Sequence, residues 1–268
     1  MKQYISFFKL KFTVGLQYRA AALAGLSTQL FFGLVFVMVY IAFYGSGDAS
    51  SVSITLKEIT TYMWLNQGFF ALIYIWHRDN EILNMIKKGD VAYELCRPSN
   101  LYIMWFSRIL ASKLSSVSLR CLPLLLIAFL LPQPYNLSLP YSINSFIMFI
   151  IVLTISSLLV TALVTLIYVL TFYTTDGKGV MGMYCSIAEI LSGQIVPLPL
   201  FPNILKGIVS LLPFAYISDF AFRIYTGNIK GIELYQGLVL EVFWVITIIF
   251  IGIKITNSIL KKVVVQGG

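Results

Sequence analysis

Arg120, Glu189 and Glu241 are ionisable residues set inside otherwise apolar stretches of this 268-residue chain. A charge at membrane depth is costly and usually faces protein or water. Arg120 and Glu189 have opposite signs, so two arrangements are open: they pair, or they line a path for a polar cargo. Glu241 lies nearer the end of its stretch and is expected to reach water. Enzymatic constellations are missing from the sequence. There is no G-x-x-x-x-G-K-[ST] phosphate loop, no H-E-x-x-H and no G-x-S-x-G. His77, the single histidine, sits at a helix end and reads as a capping or interface residue. Cys96, Cys121 and Cys185 are too far apart for a metal site and, being odd in number, form no disulfide framework. No catalytic, cofactor-binding or metal residue is expected in the chain.

The elements that carry these charges follow from composition. Hydrophobic residues make up 59% and charged residues 11% of the chain, with mean hydropathy +0.87. Soluble domains average about 25% charged residues, so the composition describes an all-α integral membrane protein. A helical crossing takes about 20 mainly apolar residues. Six stretches qualify: 20–44, 59–76, 109–131, 143–172, 179–198 and 234–253. Short cytoplasmic loops are enriched in lysine and arginine. Placing both termini inside leaves Lys57, Lys206, Arg223 and Lys230 outside and Arg120 within a span. The other fourteen of the 19 lysines and arginines are then inside. The net charge of +8 is therefore a topology signal, and no basic run indicates nucleic acid.

Three segments do not cross. Residues 1–19 place Ile5, Phe8, Phe12 and Leu16 at helical spacing opposite Lys2, Ser6, Lys9, Thr13 and Gln17. That pattern predicts a basic amphipathic helix lying in the inner interface. Residues 77–100 form a long, charged inner segment. Asp79 or Asn80 can cap a first short helix that Gly89 ends, and Asp90 can cap a second that stops before Pro98. Ile82, Met85, Ile86, Tyr93 and Leu95 are kept among these charges, which reads as a docking surface. Residues 199–233 follow a proline-punctuated run, with prolines at 197, 199, 202 and 213, and hold apolar pieces too short to cross. Irregular backbone at membrane depth survives where protein buries it, so a pair of outer re-entrant helices is expected. In the fourth stretch Thr154, Ser157, Thr161 and Thr165 share a face, as small residues do where membrane helices pack closely.

In order and spacing these features resemble a permease of the type-2 ABC exporter family, bacterial branch. In "EILNMIKKGDVAYELCRPSNLYIMWFSRIL", Gly89, Asp90, Leu95, Arg97 and Pro98 stand at the positions of the family's glycine-acidic and Leu-x-Arg-Pro pattern. "LSGQIVPLPLFP" followed by "LLPFAY" is similar to its pattern after the fifth span, through Ser192, Gly193, Pro197, Leu198, Pro202, Pro213 and Phe214. The resemblance implies a transmembrane subunit in a bacterial cytoplasmic membrane, forming a translocation path with a second permease, identical or homologous. ATP and Mg would be bound by separate ATPase subunits. The coupling element would comprise Glu81, Ile82, Met85, Ile86, Gly89, Asp90, Tyr93, Leu95, Arg97 and Pro98. An ion-coupled secondary transporter and a non-transporting assembly subunit are the alternatives; the first should show repeated halves, and none is visible. Drug, peptide, lipid and glycan cargo are all compatible with the composition.

Overall fold

The computed structural model describes residues 2–46, 53–95, 99–173 and 177–260, and among them there is no strand. Four helices are long and apolar enough to cross a bilayer: α2 (Arg19–Gly45), α7 (Leu101–Leu130), α8 (Ile143–Leu170) and α12 (Ile232–Leu260). The chain is thus an all-helical, multi-pass membrane protein. α8 is apolar on every side and forms the centre, burying Phe149, Val152, Leu159, Val160 and Leu163. Of the four hydroxyl residues expected on one packing face, Thr154 is exposed and bonds to the Ile150 carbonyl, and the other three turn inward. Ser157, Thr161 and Thr165 are buried and bond back to carbonyls of their own helix, so their small side chains let neighbours approach. The flanking helices leave Phe31 and Met38 of α2, Leu122 and Leu126 of α7 and Phe243 and Phe250 of α12 exposed, as lipid-facing helices do.

The second and fifth stretches are not single long helices. The second is α3 (Leu56–Gly68), a break at Phe69, and α4 (Phe70–Ile73), after which the backbone leaves the helix at Tyr74 with ψ 120°. α3 opens with a capping box between Thr55 and Glu58. The pair runs antiparallel to α7, Gly68 lying against Leu125 and Asp79 against Arg108. The fifth stretch is α9 (Gly177–Leu191), which ends before the hook at 192–197. The third begins at Leu101 rather than 109, because Asn100 caps α7 by accepting from the Ile103 amide at 3.2 Å.

α1 (Lys2–Leu16) packs lengthwise on the first half of α7 and in the same direction. Tyr4 Oη accepts from the Asn100 amide at 2.7 Å, and Gly15 abuts Ser115. The covered positions are Tyr4, Phe7, Phe8, Lys11, Phe12, Gly15 and Leu16. Ile5, expected on the apolar stripe, is 54% exposed on the far side. Beyond α9 come the short helices α10 (Asn203–Val209) and α11 (Asp219–Thr226), α11 packing on α8 and α3. Between α4 and α7 lie α5 (Asn80–Lys88) and α6 (Val91–Leu95).

Candidate functional site

The charged segment between α4 and α7 is built around Asp79. Its Oδ1 accepts from the amides of Glu81 at 3.0 Å and Ile82 at 3.3 Å, which starts α5. Gly89, at φ 78°, ends α5 in the left-handed conformation that glycine adopts without steric cost. Arg108 of α7 then fixes the element. Its Nη2 donates to Asp79 Oδ1 at 2.9 Å, and the same guanidinium is bonded to Asp79 Oδ2 and Glu81 Oε2. Lys11 of α1 lies 3.6 Å from Glu81. The hydrogen bond from Arg108 holds the Glu81 carboxyl below its ordinary value. Among the expected apolar contacts, Ile82 is fully buried and anchors α5 to the bundle, so it is not available to a partner. Met85 and Ile86 are half-buried against the core, while Tyr93 is 76% exposed. Gly89 and Asp90 form the corner between α5 and α6. Arg97, Pro98 and the Leu95 side chain lie outside the described residues.

Immediately before Asp79 the chain runs as a non-helical strap over residues 74–79, and its backbone is satisfied by side chains from elsewhere. Lys113, only 1% exposed, donates from α7 to the carbonyls of Leu72 at 3.2 Å and Tyr74 at 2.5 Å. Gln194 Nε2 reaches the Ile73 carbonyl at 3.1 Å. The Cys185 thiol of α9 lies 3.8 Å from the Ile75 carbonyl. Tyr168 of α8 donates its hydroxyl to the His77 carbonyl at 2.5 Å and accepts from the Asp79 amide at 2.7 Å. A buried backbone group must find such a partner, and here α7, α8 and α9 all contribute one.

At its other end the strap's clamp joins a second polar cluster. Gln194 belongs to the hook after α9, whose carbonyls bind Tyr40 (Ile195 O, 3.1 Å), Asn66 (Gln194 O, 2.6 Å) and Tyr62 (Gly193 O, 2.9 Å). Tyr62 Oη also lies 3.1 Å from Asp219 Oδ1, which accepts from the Leu198 amide at 3.0 Å. Arg223 Nη1 lies 3.4 Å from Asp219 Oδ2, and its Nε donates to Asn228 at 2.8 Å. Gly193 has φ 79°, and a Cβ there would lie 2.7 Å from Tyr62 Oη. Only glycine fits. Pro197 leads the 3₁₀ turn Leu198–Leu200, Pro202 precedes α10, and Pro213 opens a second 3₁₀ turn in which Phe214 stacks edge-on against Tyr184 of α9.

Of the two arrangements open for Arg120 and Glu189, the structure does not show the pair. Glu189 accepts from Trp76 Nε1 at 2.8 Å, whereas Arg120 packs over Gly25 of α2, its Nε without a partner among the described residues. They lie on different helix contacts, α9 with the strap and α7 with α2. Arg120→Leu and Glu189→Gln should therefore shift detergent-state stability additively, to within about 0.5 kcal/mol in a double-mutant cycle. A coupling energy above about 1 kcal/mol would restore the pair. Glu241 does not reach water. It is 0% exposed and accepts from Ser156 of α8 at 2.8 Å, because α12 starts at Ile232 and carries residue 241 about 13 Å into the bundle.

Arg108, Lys113, Tyr168, Gln194, Tyr62 and Asp219 went unrecognised in the sequence. Asp219 and Arg223, opposite charges at i,i+4 in an apolar segment, carried the one readable signal.

Long lipid-facing helices, a charged element between α4 and α7 and a buried hook after α9 define a multi-pass membrane permease. The chain belongs to the ABC-2 transporter family: the family described as ABC-2 family transporter protein matches residues 30–267, from within α2 to the C-terminal tail. Comparison with curated proteins returns no match.

Proposed function

We propose that this chain is the transmembrane subunit of an ATP-driven exporter of a bacterial cytoplasmic membrane. It crosses six times with both termini inside, the short pairs α3–α4 and α9 with its hook serving as the second and fifth crossings. It forms the translocation path with a second permease, and separate ATPase subunits hydrolyse the nucleotide and bind its Mg. The observation that supports this reading most is the capped, Arg108-fixed α5 with Tyr93 exposed beside it. Charged capping and an ion pair hold the element rigid, while an exposed aromatic ring gives a partner something to bury.

Tyr93→Asp tests the docking reading, since the ring makes no buried contact in the permease. The variant should insert and purify normally. Placing an unpaired charge in a contact costs roughly 2–5 kcal/mol, so co-purification with the phosphate-loop ATPase encoded by a neighbouring reading frame should fall by more than about tenfold. Full recovery of the ATPase with Tyr93→Asp would reduce α5 and α6 to a solvated loop.

A further inference from the structure

The segment Ala71-Leu72-Ile73-Tyr74-Ile75-Trp76 contains no proline, glycine or capping residue, so its own chemistry gives no reason for the helix to stop at Ile73. A chain built merely to cross would stay helical and satisfy its carbonyls internally. This one gives up those bonds and takes replacements from Lys113, Gln194 and Tyr168, on three separate parts of the bundle. The break is therefore a tertiary feature. The strap is directly continuous with the Asp79 cap of α5 at one end. At the other, it leaves α4 at Ile73, whose carbonyl Gln194 ties to the hook that Asp219 holds under the outer helices.

We propose that Lys113, Tyr168 and Gln194 are positioning residues of the transport cycle, latching the strap so that displacement of α5 is delivered to the outer segment. This rests on the reading of α5 as the ATPase contact. The strap suits the task physically. Extended backbone spans about 3.3 Å per residue and helix about 1.5 Å, so an unlatched strap can absorb motion by changing length, whereas a latched one must pass it on. Coupling between distant sites needs an element with two arrangements, and a helix end held open by side chains is such an element.

The test uses the full complex of permease and ATPase in proteoliposomes, with Ile204→Cys, 84% exposed on α10, as the outer reporter. Maleimide labelling is compared without nucleotide and after vanadate trapping with Mg-ATP. In the parent complex trapping should change the labelling rate several-fold. Tyr168→Phe and Lys113→Met should keep ATPase association and basal hydrolysis within about twofold while losing most of that change. Lys113→Arg, which retains the donors, should restore it. If Lys113→Met fails to assemble, Tyr168→Phe, which removes only a hydroxyl, decides alone. Parental labelling changes in the assembled variants, or no change in an assembled parent, would overturn the relay. Failure of the parent permease to bind the ATPase at all would overturn the docking reading, and the relay with it.

Discussion

Arg108→Leu should destabilise the solubilised protein by roughly 3 kcal/mol, the low end of the cost of stranding one partner of a buried pair. Asp79 and Arg108 side chains are each only 12% exposed, so solvent does little to compensate the abandoned carboxylate. Glu81, 61% exposed, contributes little to that loss, since surface pairs are weak. The decisive comparison is with Asp79→Asn. Asparagine caps a helix as well as aspartate does, so this substitution keeps α5 started while removing the charge. The double variant should recover more than half of what Arg108→Leu loses in thermal unfolding. A double variant no better than Arg108→Leu would mean that the guanidinium acts through packing of its stem, and that α5 is held by Ile82 alone.

What was legible in the sequence followed from local chemistry. Apolar length identified α2, α7, α8 and α12, and Asp79 and Gly89 marked the ends of α5 because caps act on neighbouring residues. The break in the second stretch was not legible, because what interrupts it is remote. Lys113 and Tyr168 lie 39 and 91 residues from the carbonyls they satisfy at Tyr74 and His77. Read by hydropathy, Lys113 is a positive residue near the inner end of a span, consistent with topology and silent about contact. Glu241 misled for a related reason. Its depth depends on α12 beginning at Ile232, and its burial on Ser156 of α8, neither of which periodicity encodes. Arg120 and Glu189 show the same limit from the other side: opposite signs within spans invite pairing, but helix packing decides which faces meet.

Arg223→Met separates two accounts of the segment between α9 and α12. The topology reading counts Arg223 among the four cations left outside, and it borders a cavity of about 240 Å³. A water-facing arginine is worth about 0–1 kcal/mol. The geometry gives a different expectation. Asp219 is 1% exposed, and Arg223 is its one cationic neighbour among the described residues, so removing the guanidinium strands a carboxylate beneath α11. The expected loss is roughly 3–5 kcal/mol, several degrees in the unfolding midpoint of a protein this size. Asp219→Asn should lose a comparable amount, because it strands the arginine while keeping Oδ1 as acceptor for Tyr62 and the Leu198 amide. Combining them leaves no charge and retains those two hydrogen bonds, so Asp219→Asn with Arg223→Met should be more stable than either single variant. Asp219→Leu with Arg223→Met should not be, since it also orphans the Tyr62 hydroxyl and the Leu198 amide. That ordering of the two double variants assigns the hook's stability to specific atoms. A loss below about 1 kcal/mol for Arg223→Met alone would return Arg223 to the solvent and leave the hook held by neutral hydrogen bonds.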